Sequence, residues 1–437
     1  MGKIVIIGAG SIVFSRGLIS DILLREELKG FALGLCDIDP ESLELITALA
    51  ERMAEATGAG IEIESSTDRR NLLKGADFVI QTIAVGGKEA WERDLQIPLK
   101  HGVLQTVGDT IGPGGISRAL RVIPHVLAIC RDMEELCPDA LLINYSNPLT
   151  PICMAVAQNT RIRVVGLCHG LKGSQRALAD FLGVPVERTK VFAAGINHFN
   201  WILRFLVDGE DGLRMVRERI EREGVPPWGR VTFELFEIYG AIPIPGDRHI
   251  VEFLPHYLNV HTDMGRRYGL SLMRAYGQSR EYWDEVRRDV SRREFPLEKY
   301  LKPSDEDAIE IISTIVKGET RLFDAVNIPN DGLIENLPDN AVVEVPGVVG
   351  PFGVRGIKVG ELPEGIAALI APRVYEQQLM ADAAVYGSYE LALQAMIADP
   401  LVPTVDKARA ILDELLEAQA EHLALWRRRA EVFGRCG

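Results

Sequence analysis

The chain has 437 residues, of which 47% are hydrophobic and 25% charged, the composition of an ordinary globular protein. Its net charge of −14 argues against a nucleic acid or an anionic membrane surface as partner, because phosphate groups would be repelled. No segment approaches the run of roughly 18 apolar residues that a membrane-spanning helix needs.

The N-terminus and the cysteines indicate the compartment. The chain begins with a strand-like run at Lys3–Ile7 and not with a cationic and then apolar signal segment. Its six cysteines have no CxxC spacing, and most lie in apolar segments, which is typical of reduced thiols. We therefore expect a cytoplasmic protein, and its length favours two packed lobes.

Apolar, β-branched runs alternate with segments of helical period through roughly the first 195 residues. The predicted strands are residues 4–7, 32–36, 61–65, 78–83, 141–145 and 164–167. Between them, Leu120, Ile123 and Leu127 recur at steps of three and four, as on one face of a helix. This alternation predicts an α/β fold of Rossmann type with a doubly wound parallel sheet.

The pattern changes after about residue 195. Longer helices follow, broken by loops rich in proline and glycine, and segments 376–397 and 405–432 have the period of long amphipathic helices. The sequence thus predicts a dinucleotide-binding domain at residues 1–195. It predicts a second, mixed α+β domain at residues 196–437, which would serve substrate, metal and oligomer contacts.

A nucleotide-type loop follows the first predicted strand and opens a predicted helix. Gly8 and Gly10 allow a tight turn and a close approach to a pyrophosphate, which the helix N-terminus at Ser11 then stabilises. Val13 stands where the third glycine of the fingerprint would be, so the match is partial. A turn that needs glycine only for its geometry would have the same sequence.

An acid ends the second predicted strand. Asp37 is suitably placed to hydrogen-bond a ribose diol, and Asp39 lies nearby. An acid at this position is typical of binding sites for NAD+ and not for NADP+, so NAD+ is the expected cofactor.

Two possible metal ligands follow later strands. Cys168 comes after the sixth strand, and His198 follows a further apolar run, so both would reach the carboxyl edge of the sheet, where ligands collect. A thiolate and an imidazole with open positions suit a divalent metal that also binds substrate oxygens. The alternative is a buried cysteine that acts as a small apolar residue and a histidine with an ordinary hydrogen bond.

Further polar segments lie where a cleft would form. Asn147 stands in an Asn-Pro turn after the fifth strand, and its amide could hold a substrate hydroxyl or the nicotinamide. Asp109 lies in a glycine-rich loop that could cover the cleft or be a plain surface loop. In the second lobe, Asp247 could be a general base, with Arg248 and His249 placing substrate groups, although Asp after Gly is also a common turn residue.

Taken in order, these segments closely resemble glycoside hydrolase family 4, the NAD- and divalent-metal-dependent glycosidases, over nearly the whole chain. The matching segments are Gly8-Ala9-Gly10-Ser11, residues 108–121, Asn147-Pro148, Cys168-His169-Gly170, Gly195-Ile196-Asn197-His198, Gly246-Asp247-Arg248-His249, Asn336-Leu337-Pro338 and Val343-Glu344-Val345-Pro346. The resemblance implies oxidation of the sugar at C3 by NAD+, removal of the C2 proton, elimination of the aglycone, addition of water and return of the hydride. This chemistry is an exception to hydrolysis by two carboxylates.

The resemblance also implies roles for single residues. Cys168 and His198 become the ligands of a metal, usually manganese, and Asn147 contacts both substrate and nicotinamide. Asp247 is the preferred base, with Tyr239 and Tyr257 as alternatives. The remaining assignments are the leaving-group acid (Asp109 or His169), the cofactor contacts (Gly8, Gly10, Ser11, Asp37) and further substrate contacts (Asn197, Arg248, His249).

The residues after Cys168 bear on the substrate. Members that cleave 6-phosphoglycosides resemble Cys-Asp or Cys-Asn here, whereas this chain has Cys-His-Gly-Leu, as in the α-glucosidase and α-glucuronidase branches. Neighbouring loops resemble those of α-galactosidases and α-galacturonidases. We therefore expect an unphosphorylated α-hexoside or α-hexuronide as substrate. The resemblance to the family separately implies a homodimer or homotetramer.

Two other functions remain open from the sequence. A malate- or lactate-type dehydrogenase would share the fold, but we find no pairing of a catalytic His with an Asp and a substrate Arg in its usual context. A non-catalytic protein that binds NAD or sugar would keep the nucleotide loop without needing the metal ligands.

Overall fold

Six strands of the N-terminal half form the parallel part of one sheet in the computed structural model, which describes residues 2–271 and 280–423. They are β1 (Lys3–Ile7), β2 (Ala32–Cys36), β3 (Glu62–Ser66), β4 (Phe78–Gln81), β5 (Leu141–Asn144) and β6 (Arg163–Gly166). Their order is β3-β2-β1-β4-β5-β6, a doubly wound arrangement whose direction reverses between β1 and β4. The Rossmann-type prediction is confirmed, and each predicted strand lies within about two residues of its expected bounds.

The second half continues the same sheet with antiparallel strands. They are β7 (Thr189–Ile196), β8 (Phe199–Val207), β9 (Glu210–Asp211), β10 (Ile242–Ile244), β11 (Arg321–Pro329), β12 (Val342–Gly350) and β13 (Gly353–Gly356). From β6 the order runs β11-β12-β7-β8-β10, with β13 beside β12 and β9 beside β8. Residue 195 lies inside β7, so the sheet has no break there, and the division at residue 195 stays a prediction.

Helices cover both faces of the sheet. They are α1 (Ile12–Leu23), α2 (Pro40–Thr57), α3 (Arg70–Leu73), α4 (Gly87–Lys100), α5 (Gly112–Leu136), α6 (Leu149–Asn159), α7 (Gly170–Leu182), α8 (Gly212–Glu223), α9 (Arg230–Tyr239), α10 (Asp247–Ile250), α11 (Arg280–Val290), α12 (Leu297–Tyr300), α13 (Ala308–Val316), α14 (Glu364–Tyr386), α15 (Tyr389–Ala398) and α16 (Val405–Ala418). None of these helices has the length and apolarity needed to cross a membrane.

The two faces have separate apolar cores because side chains alternate along each strand. On β1, Ile4 and Ile6 pack into the core that α1, α2 and α13 cover. Val5 and Ile7 pack into the core that α5, α6 and α14 cover. Both faces are therefore closed, and the carboxyl edge of the parallel strands remains for ligands.

One helix prediction is wrong in detail. The predicted helix at 376–397 is interrupted because Gly387 adopts a left-handed conformation, with φ 62°, and ends α14. Ser388 then accepts a hydrogen bond from the Leu391 amide and starts α15. The other predicted helix begins at Val405 as α16 and ends at Ala418, and the last part of its predicted range lies outside the described residues.

A buried ion pair joins α4 to α5 and yields a test of stability. Asp94 and Arg121 are at most 1% exposed and form two parallel hydrogen bonds of 2.7 and 2.8 Å. Arg121→Leu leaves the Asp94 carboxylate buried without its cation, so we expect the unfolding free energy to fall by about 3–5 kcal/mol. Denaturant unfolding measures the loss.

The exposed pair between Arg188 and Asp208 is the matched control, since the two side chains are 54% and 47% exposed. Arg188→Ala should cost less than about 1 kcal/mol. Equal losses for the two variants would contradict this account of the buried pair.

Candidate active site

The nucleotide loop connects β1 to α1 and requires both of its glycines. Gly8 has a φ of 93°, and a Cβ there would lie 2.7 Å from Thr82 Oγ1. A Cβ on Gly10 would lie 2.7 Å from Asp37 Oδ2, the atom to which the Gly10 amide donates a hydrogen bond of 2.7 Å. The loop thus leaves its backbone open beside the start of a helix at Ser11, which fits a pyrophosphate.

The two acids after β2 have different partners. Asp39 caps the N-terminus of α2, because its carboxylate accepts hydrogen bonds from the amides of Glu41 and Ser42. Asp37 remains at the carboxyl edge of β2, half-buried beside the glycine loop. The arrangement therefore favours Asp37 over Asp39 for the ribose.

A cleft of about 700 Å³ extends from this loop across the edge of the sheet. Its walls come from both halves of the chain and include Ser11, Arg16, Asp109, Arg118, Asn147 and Glu306. Its volume is typical of a site for a small molecule.

Three side chains of the site converge as possible metal ligands. Asp109 lies in the loop before α5, His198 in the turn between β7 and β8, and His249 in α10. One ligand atom from each lies within 4.8 Å of the other two, and this is the one group of its kind in the described part of the chain. Nδ1 of His249 is buried and has no hydrogen-bond partner among the described residues, so the trio has a donor available for an ion.

Hydrogen bonds fix the members of the trio. Thr110 Oγ1 donates to Asp109 Oδ1 at 2.7 Å and also lies 2.7 Å from His198 Nδ1. Asn147 Nδ2 donates to Asp109 Oδ2 at 2.9 Å. The two imidazole rings lie 4.2 Å apart. The site therefore brings together four of the residues singled out from the sequence, namely Asp109, Asn147, His198 and His249.

The electrostatics suit a cation. Burial opposes ionisation of Asp109, but the two histidines in their protonated form, Arg118 and the Thr110 hydroxyl outweigh it and lower the pKa of this carboxyl. Burial lowers the pKa of His198 to about 3 and also lowers the pKa of His249, so both rings are neutral near pH 7. A carboxylate with two neutral imidazoles is a donor set that a divalent transition metal accepts.

Cys168 and His169 lie at the same edge but outside this trio. Cys168 Sγ accepts a hydrogen bond from the Gly170 amide at 3.4 Å, and burial raises the pKa of its thiol to about 12. His169 Nδ1 lies 3.4 Å from Glu306, whose hydrogen bond raises the pKa of the imidazole. A ligand role for Cys168 therefore stays a prediction.

Hydrogen bonds from α9 fix the Asp247 carboxylate. Its carboxylate accepts hydrogen bonds from the amides of Val231 and Thr232, at 3.0 and 2.8 Å, and from the Thr232 hydroxyl at 2.7 Å. Both oxygens thereby stabilise the first turn of α9. A role of Asp247 as the base therefore stays a prediction.

The alternative bases belong to aromatic packing. Tyr239 packs edge-on against Trp201, with ring centroids 5.3 Å apart. Tyr257 is buried against Tyr268, and burial raises the pKa of its hydroxyl. A role of either hydroxyl as the base stays a prediction.

Two predicted substrate contacts are engaged elsewhere. Arg248 is exposed and donates to Ser271 Oγ at 3.1 Å. Asn197 is buried and donates to Glu344 at 3.1 Å, while its Oδ1 has no partner among the described residues. Their contacts with substrate stay predictions.

The sequence reasoning missed three supporting residues. Thr110 connects two of the trio, Glu344 holds Asn197, and Glu252 Oε1 accepts hydrogen bonds from the amides of Val107 and Gly108, at 2.7 and 2.8 Å. Both glutamates are single acids inside apolar runs, which is a signal that could have identified them. Thr110 has no comparable signal.

A model of family 4 glycosyl hydrolases matches residues 3–184, and a model of the C-terminal domain of that family matches residues 193–402. An alpha-galactosidase of Bacillus subtilis is 35% identical, covering 92% of this chain and 93% of its own length. An alpha-galacturonidase of Thermoanaerobacterium saccharolyticum is 32% identical, covering 97% of both chains.

A solved structure has the same fold throughout. The 6-phospho-beta glucosidase of Thermotoga maritima, solved with manganese, NAD+ and glucose-6-phosphate, superposes with a TM-score of 0.81. It is 26% identical, and the match covers 97% of this chain and 99% of that chain. Both halves described above therefore have counterparts in it.

The buried carboxyl of Glu252 should make the free energy of unfolding depend on pH. Burial raises its pKa from 4.5 to about 8, so between these pH values the folded carboxyl holds a proton that the unfolded one has lost. The stability from this group is full below pH 4.5 and is lost as the pH rises towards and through 8. The fall in unfolding free energy between pH 5.5 and 8 should thus be smaller for Glu252→Gln, which does not ionise, than for the wild type.

Denaturant unfolding at the two pH values measures this difference. Parallel behaviour of Glu252→Gln and the wild type would show that Glu252 does not titrate in this range.

Proposed function

The chain belongs to family 4 of the glycosyl hydrolases, and we propose that it hydrolyses an unphosphorylated α-hexoside or α-hexuronide with bound NAD+ and a divalent metal ion, with Mn²⁺ as first choice. The observation that carries the proposal is the convergence of Asp109, His198 and His249, because Asp109 lines the same cleft as Ser11 of the nucleotide loop. The relative from Thermotoga maritima, solved with manganese, NAD+ and a sugar phosphate, supports it.

Bound NAD+ would supply reversible oxidation at sugar C3, and a metal on O2 and O3 would supply Lewis-acid stabilisation of charge at C2. The residues of this chain fit both groups. Gly8 and Gly10 admit the pyrophosphate, and Asp37 is placed for the ribose. Cys168 and His198 would offer the metal a sulfur and a nitrogen ligand, and Asp109 and His249 lie close to His198.

The chain must also move protons. A ketone at C3 acidifies the C2 proton, and after that proton is removed the aglycone leaves and water adds at C1. Asp247 is the base that we propose for the C2 proton, with Tyr239 and Tyr257 as alternatives, and the amides of α9 fix the direction of its carboxylate. Asn147 holds the carboxylate of Asp109, which is one of the two candidates for the leaving-group acid.

The Cys168-His169-Gly170 segment favours a substrate without a phosphate, and so does the charge of the cleft. Glu306 lines the cleft next to His169. A carboxylate in a partly buried cleft repels a dianionic phosphate more strongly than it repels the single charge of a hexuronide, and it does not repel a neutral hexose. The relatives named alpha-galactosidase and alpha-galacturonidase are consistent with this choice.

Assembly and compartment stay predictions. We expect a homodimer or homotetramer formed through the second half, and a cytoplasmic location. The partners we propose are small molecules, namely the glycoside, NAD+ and the metal ion.

A panel of glycosides tests the proposal. The α-linked glucosides, galactosides and their uronides should include a substrate when NAD+, Mn²⁺ and a reductant are present, while 6-phosphoglucosides should not be cleaved. NADH should not accumulate, EDTA should abolish turnover and Mn²⁺ should restore it. Deuterium from the solvent should enter at C2.

Turnover that persists without NAD+ or metal would contradict the mechanism. Cleavage of 6-phosphoglycosides alone would contradict the substrate class. Net NADH formation with a 2-hydroxy acid would instead favour a dehydrogenase.

The leaving-group acid can be found with Asp109→Asn and His169→Gln. Loss of a general acid costs roughly 10²–10⁴-fold, and it matters most when the departing oxygen is strongly basic. The variant that lacks the acid should lose at least about 100-fold on a methyl α-glycoside and far less on a 2,4-dinitrophenyl α-glycoside. A variant that slows both substrates equally does not lack the acid, and the kcat ratio for the two substrates is the measurement.

A further inference from the structure

Thr110 has an unusual position between two members of the trio. Its side chain is 1% exposed, and its hydroxyl oxygen lies 2.7 Å from Asp109 Oδ1 and 2.7 Å from His198 Nδ1. Asp109 and His198 come from different halves of the chain, so this one hydroxyl connects them.

The hydroxyl has a single hydrogen, and this limits what each neighbour can do. Asp109 accepts on both oxygens, from Asn147 Nδ2 on Oδ2 and from Thr110 on Oδ1. Because the Thr110 hydrogen points to Asp109, the hydroxyl can only accept from His198. Nδ1 of His198 must then carry a hydrogen.

The opposite assignment is unfavourable. If Thr110 donated to His198 Nδ1, lone pairs of Oγ1 and of the Asp109 carboxylate would face each other at 2.7 Å. Nε2 would carry the ring hydrogen, and a metal ion could not bind there. A neutral imidazole has one donor and one acceptor nitrogen, and the hydrogen bond of one decides the state of the other.

We propose that Thr110 is a positioning residue that holds His198 in the Nδ1–H tautomer, so that the Nε2 lone pair is available to a divalent metal ion. This rests on the proposed function in its choice of Mn²⁺. Partners of metal-binding histidines of this kind typically contribute 10–100-fold to metal affinity.

The matched pair Thr110→Val and Thr110→Ser tests the proposal. Valine keeps the shape and removes the hydroxyl, whereas serine keeps the hydroxyl. Direct titration of the full chain with Mn²⁺ should give a dissociation constant about 10–100 times higher for Thr110→Val, and within about threefold of the wild type for Thr110→Ser.

Thr150→Val is the control for the loss of a buried threonine hydroxyl. Thr150 is also 1% exposed, but its Oγ1 has no hydrogen-bond partner among the described residues. Its Mn²⁺ affinity should equal that of the wild type. Unchanged affinity in Thr110→Val would overturn the proposal.

A second readout needs no variant of Thr110. Nitrogen NMR of ¹⁵N-histidine-labelled wild type without metal reports the tautomer, and the His198 signal is assigned by its loss in His198→Gln. An Nδ1–H signal supports the proposal, and an Nε2–H signal overturns it. If the wild type shows the Nδ1–H form and yet binds no Mn²⁺, the proposed function fails while the tautomer assignment holds.

Discussion

A buried carboxylate joins the parallel and antiparallel parts of the sheet, and the geometry of the site depends on it. Glu344 on β12 accepts hydrogen bonds from the side-chain amides of Asn200, Asn327 and Asn197, at 2.7, 2.9 and 3.1 Å. Asn327 also donates to the carbonyl of Gly166 at the end of β6, at 3.3 Å. One carboxylate thus ties β6, β11, β12 and the β7–β8 hairpin together.

This connection explains how the second half contributes to a cleft of the first. His198 lies in the turn of the hairpin, with a left-handed φ of 61°, directly after Asn197. The hairpin pairs with β12 through Gly195 and Glu344, and therefore His198 is held over the carboxyl edge of the parallel strands. On the other side, Glu252 holds the amides that precede Asp109. Two buried acids outside the trio, Glu344 and Glu252, thus hold the segments that carry His198 and Asp109.

These acids are unusual in their partners. Among the described residues neither Glu344 nor Glu252 forms an ion pair, and neutral amides surround both, so burial raises the pKa of each. The neutral donors fix the direction of each carboxylate, because an amide hydrogen bond is more directional than a charge contact. A rigid support of this kind preorganises ligands and proton donors before the substrate arrives.

The sequence by itself determined the parallel half, the nucleotide loop and the family. Runs of β-branched residues, glycines at 8 and 10 and the acid at 37 are local signals, since strand period and turn geometry depend on near neighbours. The sequence also identified Asp109, Asn147, His198 and His249 as residues of one site, although only the resemblance to a family joined them.

Only the tertiary structure decided how these residues are connected. The hydrogen bonds of Asp247 could not be predicted, because its partners are the α9 amides, 15 and 16 residues earlier, which no turn pattern indicates. Thr110 was missed because its significance comes from His198, 88 residues away. Local patterns record burial and backbone shape, whereas the direction of a hydrogen bond depends on which distant group the fold brings within 3 Å.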